Sequence, residues 1–100
     1  MSIENGLPLT SATGTYAGND AVNRAIPHEL GVIPKFIYIQ IDTAMNPYFI
    51  SGGVAGILQV GTSYHAVTAP TTANFYVGNA TSYPQSANAV GNTYRWVAIV

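Results

Sequence analysis

An alternating segment, Lys-Phe-Ile-Tyr-Ile-Gln-Ile at positions 35–41, predicts a β-strand. Successive side chains of an extended chain point to opposite sides, so the three isoleucines share one face and Phe36, Tyr38 and Gln40 share the other. Both faces are largely apolar, which indicates a strand in the middle of a sheet. Pro34 suits the start of such a strand, because a proline at the first position removes no ladder hydrogen bond.

The C-terminal segment 94–100 alternates in the same way and predicts a second two-sided strand tied into a sheet interior. Weaker strands are expected at 21–26, 49–50, 57–60, 64–68 and 73–77, and segment 80–91 is expected to form a long loop. Turn signals rich in glycine and proline separate these segments. The sequence therefore predicts an all-β protein, a single antiparallel β-sandwich or small barrel of about six to eight strands.

Residues 1–20 differ from the remainder because they are rich in glycine, serine, threonine and proline and offer little to pack. We expect an extended N-terminal arm over 1–20 and a β-sandwich domain over 21–100. Leu7, Leu9 and Tyr16 are the candidate anchors by which the arm would dock on a neighbouring subunit, and the alternative is an unattached terminus.

Charged residues are rare, at 7% of the chain, and none occurs between Asp42 and Arg95. A soluble domain usually has roughly 25%, and a net charge of -1 provides little electrostatic repulsion between copies. Three cationic side chains, lysine and arginine together, are too few for a nucleic-acid footprint. We therefore expect a part of an assembly, with copies of itself as the first partner.

Membrane insertion and secretion are not predicted. The longest apolar passage, residues 48–60, contains Ser51 and several glycines and is shorter than the roughly 18 residues that a membrane-spanning helix needs. The N-terminus lacks a basic cluster followed by an apolar stretch, so a secretory signal is not expected. Because the sequence has no cysteine, disulfides are excluded and the compartment is left open.

No catalytic or metal-binding pattern is present. His28 and His65 are the only histidines, and neither has metal-ligand spacing to a carboxylate. His28 is expected to bond within its own loop, and His65 to lie on a strand face. A serine nucleophile turn is absent, and four carboxylates, one of them Glu4 in the arm, do not suggest a glycosidase. We expect no enzyme activity, cofactor or metal.

Six aromatic residues are candidate contacts with another subunit or with a glycan, because tyrosine and tryptophan rings serve both interfaces and sugar stacking. They are Tyr48, Tyr64, Tyr76, Tyr83, Tyr94 and Trp96. Core-edge packing is the competing interpretation for each of them.

Both ends of the chain resemble a known class of proteins. The run Gly-Thr-Tyr-Ala-Gly-Asn at 14–19, followed by the His-Glu-Leu-Gly turn at 28–31 and the Pro-Lys strand start at 34–35, is similar to small virion domains of tailed bacteriophages. The ending Asn-Thr-Tyr-Arg-Trp-Val-Ala-Ile at 92–99 is similar to their aromatic closing strand and to that of H-type lectins, which are trimeric six-stranded sandwiches. Ile99 stands where H-type lectins commonly have glycine, so no binding residues are carried over.

The resemblance implies a virion structural protein, made in the host cytoplasm, and favours a homotrimeric capsid decoration or head-fibre protein. Its partners would be copies of itself and other virion proteins such as the major capsid protein. The sequence begins at Met1 and ends in a strand, as expected of an independent gene product with an anchoring arm. The alternative is a tail-fibre tip or lectin-like module that recognises host surface glycans.

Overall fold

The computed structural model describes residues 10–42 and 46–100, together with the backbone of residues 3–4 and 7–8. The strands are β1 Ile3–Glu4, β2 Leu7–Pro8, β3 Ser11–Ala17, β4 Arg24–Pro27, β5 Phe36–Ile41, β6 Tyr48–Ser51, β7 Gly56–Gln59, β8 Tyr64–Ala66, β9 Asn74–Val77 and β10 Thr93–Ile99. A short 3₁₀ helix, η1, spans Pro84–Ser86 within the loop from β9 to β10. The all-β prediction is confirmed.

Two antiparallel sheets form the body of the fold. The main sheet has six strands in the order β3-β10-β5-β6-β7-β8, and the second sheet is the pair β4-β9. Strand β5 lies in the sheet interior with β10 and β6 as neighbours, as its two apolar faces predict. Strand β10 is also interior, held between β3 and β5.

The core lies between the second sheet and one face of the main sheet, which we call the inner face. Register places Ile39 of β5 beside Trp96 of β10 and Tyr48 of β6, and all three side chains are buried. Phe75 of β9 meets Trp96 edge-on, with 5.1 Å between the ring centroids. Loops close the remainder of the inner face, and the 80–92 loop contributes four consecutive buried residues, Ser86, Ala87, Asn88 and Ala89.

The N-terminal arm prediction differs from the structure over residues 11–17. These residues form β3, which pairs with β10 along its whole length from Ala17 opposite Thr93 to Ser11 opposite Ile99. Tyr16 is 8% exposed and belongs to the core, so it cannot anchor an arm on a neighbour. The main domain therefore begins near Thr10, not at residue 21.

Leu7 belongs to the β1-β2 ribbon, in which Glu4 pairs with Leu7 and Ile3 with Pro8. Leu9 lies outside the described residues.

Candidate functional site on the outer face of the main sheet

The predicted contact residues divide into two groups in the structure. Tyr48 and Tyr94 are fully buried and Trp96 is 7% exposed. Fully buried rings can touch neither a glycan nor a second subunit, so the prediction is wrong for Tyr48 and Tyr94. The Trp96 ring packs edge-on against Phe75 in the core, which leaves little of it for such a contact. These residues alternate with others along their strands because their side chains lie on the inner face of the sheet.

The buried tyrosines fix the 80–92 loop to the core. Tyr16 stacks on Tyr94 with 5.1 Å between ring centroids, and its hydroxyl donates to the Ala87 carbonyl oxygen at 2.7 Å. The Tyr48 hydroxyl donates to the Pro84 carbonyl oxygen, and the Tyr94 oxygen accepts from the Ala89 N–H at 3.0 Å. These phenols therefore satisfy backbone groups that the loop would otherwise bury without partners.

Burial raises the pKa of both the Tyr16 and the Tyr48 phenol above the ordinary tyrosine value, and the neighbouring Tyr94 raises it further. Ionising these phenols inside an apolar core is costly. Both groups stay protonated at neutral pH and act as hydrogen-bond donors.

Asn88 joins the same loop to the segment that precedes β4. Its side-chain amide donates to Asn19 Oδ1 and to the Ala21 carbonyl oxygen, both at 2.9 Å. Its own oxygen accepts from Arg24 Nη1 at 3.2 Å, and Arg24 also lies 5.2 Å from the centroid of the Tyr16 ring. Asn88 is fully buried and bonded on both sides of its amide, which identifies it as a structural residue.

Tyr64, Tyr76 and Tyr83 keep accessible surface, but among the described residues no ring contact joins them. Tyr64 is 57% exposed and donates to the Ala55 carbonyl oxygen at 2.9 Å. Tyr76 is half-buried and packs against the core, and half-buried Tyr83 lies at the N-cap of η1. The structure therefore does not bring these three tyrosines together, and a contact role for each of them stays a prediction.

An apolar surface lies instead on the other side of the main sheet, which we call the outer face. Phe36 and Tyr38 of β5 each contact Phe49 of β6, at centroid distances of 5.3 and 5.5 Å. Leu58 of β7 is 41% exposed and Ile99 of β10 is 43% exposed. Arg95 is the single charged residue within the six strands.

The sequence pattern of β5 and β10 contains this outer face. Phe36 and Tyr38 form the second apolar face of β5, and Val97 and Ile99 alternate with the buried residues of β10. An apolar strand face predicts burial, but it does not say whether the covering layer comes from the same chain or from a partner. Here the second sheet covers the inner face alone.

A shallow groove of about 380 Å³ crosses the outer face over β3, β10 and β5. It is lined by Thr13, Gly14, Thr15, Tyr38, Gln40, Arg95, Trp96 and Val97. The Tyr38 hydroxyl donates to Gln40 Oε1 at 3.2 Å, and Arg95 forms an exposed ion pair with Asp42. The groove therefore offers hydroxyl, amide and guanidinium groups beside an aromatic ring.

His28 is held within its own loop. His28 is buried, its Nε2 lies 2.8 Å from the Thr71 carbonyl oxygen, and its Nδ1 accepts from the Leu30 N–H at 3.1 Å. This geometry assigns a neutral ring that donates through Nε2 and braces its own loop. Across residues 10–42 and 46–100, no group of three His, Asp or Glu side chains is placed to hold a metal ion.

In the part of the chain that the structure describes, no helix has the length and apolar character needed to span a membrane. Comparison with protein-family models, with curated proteins and with solved structures gives no significant match. The interpretation of the outer face therefore depends on its own chemistry.

Proposed function

We propose that this chain is a non-enzymatic structural protein of a tailed-bacteriophage virion, a capsid decoration or head-fibre protein that assembles as a homotrimer. The observation that carries the proposal is the outer face, a sheet surface with exposed Phe36, Leu58 and Ile99 and a single charged strand residue. Apolar patches of this kind on soluble proteins mark interaction sites.

The low charge of the chain supports self-contact at this face. Like-charge repulsion does not oppose the meeting of identical copies, because the outer face carries Arg95 already paired with Asp42. A net charge of -1 also leaves the free domain with little colloidal protection. Closed symmetric assembly removes the exposed apolar area from water, and capsid lattices present many equivalent positions for such assemblies.

Substitution at Leu58 tests the self-contact. Leu58→Glu places a charge on β7 within the outer face, while Val22→Glu places the same charge on a loop residue that is 54% exposed. Light scattering across a dilution series is expected to show a trimer-based assembly for the unmodified chain and for Val22→Glu, and loss of that trimeric contact for Leu58→Glu. A monomer in all three proteins would overturn the proposed trimer.

Capsid anchoring is assigned to the residues before the main sheet. Removal of residues 1–20 would delete β3 and Tyr16 and would unfold the domain, whereas removal of residues 1–9 leaves every strand of the main sheet. The shorter deletion is expected to keep the circular dichroism spectrum of the domain and to abolish binding to undecorated capsids. Unchanged capsid occupancy after this deletion would contradict the anchoring role.

The groove on the outer face favours a second candidate, a tail-fibre tip or lectin-like module that binds host surface glycans. Sugars are commonly held by amide and charged side chains beside an aromatic ring, and Gln40, Arg95 and Tyr38 supply those groups together. Glycan-array binding that is lost in Gln40→Ala and in Arg95→Ala, and kept in Val22→Glu, would favour this function. Absence of binding to any glycan would leave the virion structural role alone.

A further inference from the structure

Strand β3 is an open edge of the main sheet. At every second residue its backbone N–H and C=O groups point away from β10. The Gly18 N–H donates to the Asn92 carbonyl oxygen, and the Val100 N–H donates to the Thr10 carbonyl oxygen, both at 2.9 Å. The even-numbered residues of β3 therefore bond to β10. Arg24 donates to the Ala17 carbonyl oxygen, which confirms that the backbone groups of the odd-numbered residues point away from β10.

Three residues with outward backbone groups remain, namely Ser11, Thr13 and Thr15. All three are exposed, and among the described residues none of their N–H or C=O groups has a hydrogen-bond partner. Strand β3 is seven residues long and pairs with β10 without a bulge. It contains no charged residue and no proline, the features by which proteins usually prevent edge-to-edge pairing.

The opposite edge of the same sheet is protected. Strand β8 has three residues, and the Asn79 side-chain amide donates to the Ala66 carbonyl oxygen at its end, at 2.8 Å. Short length and a capped carbonyl are common protections for an edge strand. The contrast between the two edges indicates that β3 is the edge available for pairing.

We propose that β3 pairs antiparallel with β3 of a second copy of this chain, so that the two main sheets join across a twofold axis. The register that uses all outward groups places Thr13 opposite Thr13 of the second copy, and Ser11 opposite Thr15 of the second copy. It forms about six backbone hydrogen bonds. The paired hydroxyl side chains bring no like charges together, and threonine pairs across strands are favourable.

The strand pairing requires neither the virion role nor the contact at the outer face. It is a twofold contact, whereas the proposed trimer is threefold, and the two contacts use different surfaces of the sheet. Together they produce a hexamer of two trimers, and each can be removed separately. Leu58→Glu is then expected to leave dimers, and an edge variant is expected to leave trimers.

Thr13→Pro is the most specific substitution for testing the pairing of β3 with a second copy. Proline removes the outward N–H of residue 13 and leaves the ladder to β10 intact, because that ladder uses Ala12 and Gly14. The matched control, Thr13→Val, keeps the N–H. Light scattering is expected to show that Thr13→Pro halves the mass and that Thr13→Val does not. Equal masses for both variants and the unmodified chain would overturn the proposal, and so would a monomeric unmodified chain.

Cysteine crosslinking tests the register without a proline in the strand, and the chain has no cysteine of its own. Directly opposite residues of an antiparallel pair lie at Cα distances of about 5.5 Å, within disulfide range. Mild oxidation is expected to crosslink Thr13→Cys with itself, and Ser11→Cys with Thr15→Cys when the two are mixed. Thr15→Cys alone is expected to stay uncrosslinked. Crosslinking that is equal at all positions, or absent at all of them, would contradict this register.

Discussion

The Tyr16 hydroxyl donates a 2.7 Å hydrogen bond to the carbonyl oxygen of Ala87, a residue 71 positions further along the chain. This bond joins β3 at the edge of the main sheet to the loop between β9 and β10. Ala87 is fully buried and adopts a left-handed conformation with φ of 60°. The phenol therefore holds a strained and buried segment of backbone in place.

Tyr16→Phe is expected to lower the free energy of unfolding by about 1 to 3 kcal/mol, because it leaves the buried Ala87 carbonyl oxygen without a donor. Urea denaturation of the purified domain measures the loss. Tyr38→Phe is the matched control, since its half-buried hydroxyl bonds to a side chain on the outer face. Equal effects of the two substitutions would show that the bond to Ala87 contributes nothing specific.

Alkaline pH is expected to destabilise the domain through Tyr16 and Tyr48. Burial raises the pKa of both phenols above their ordinary value of 10.0, so the folded state binds more protons than the unfolded state above that pH. Stability is therefore complete below pH 10 and falls as the pH rises further, by up to about 1.4 kcal/mol per pH unit and per group.

Urea denaturation at pH 8 and at pH 11 measures this loss, and Tyr48→Phe is expected to reduce it. Substitution of the exposed Tyr64 by phenylalanine serves as the control for the removal of one phenol. A pH dependence that is identical in Tyr48→Phe and in the unmodified chain would rule out the buried phenol as its source.

The strands that the sequence predicted best are those whose side chains alternate most regularly between the two faces. The isoleucines of β5 and the aromatic residues of β10 alternate without interruption, and both strands lie in the interior of the main sheet. Strand β3 was interpreted as an arm because Gly14 and its small neighbours resemble a loop. In the structure the Trp96 ring lies over Gly14, where any side chain would collide with it. That glycine makes room for an indole from another strand, and local sequence does not contain this information.

The candidate site could be predicted only in part, for a related reason. Periodicity divided the side chains of each strand between two faces, but it did not show which face the second sheet covers. The choice depends on where β4 and β9 pack, which is a contact between distant segments. The aromatic residues of the inner face were therefore mistaken for contact residues. The outer-face cluster of Phe36, Tyr38 and Phe49 was not predicted as a contact site.

Gly78 is expected to tolerate no side chain. It has φ of 98°, and a methyl group there would overlap the Ala21 carbonyl oxygen. Gly53 has a similar φ of 80° with open space around it, so Gly53→Ala tests backbone strain alone. We expect Gly53→Ala to cost about 1 kcal/mol and Gly78→Ala about 2 to 4 kcal/mol. Thermal unfolding of the two variants measures the difference, and equal melting temperatures would contradict the close approach to Ala21.

Gly56 and Tyr64 are expected to be energetically coupled. The Tyr64 ring lies over Gly56, at the place that a methyl group on Gly56 would occupy. The Tyr64 hydroxyl donates to the Ala55 carbonyl oxygen. Gly56→Ala would displace the ring and break that bond, which we expect to cost about 1 to 2 kcal/mol. In a Tyr64→Ala background the space is free, and the same substitution is expected to stabilise the strand by about 0.5 to 1 kcal/mol, because alanine loses less backbone entropy than glycine on folding. A double-mutant cycle by urea denaturation measures this change of sign, and additive effects of the two substitutions would show that the ring and the glycine act independently.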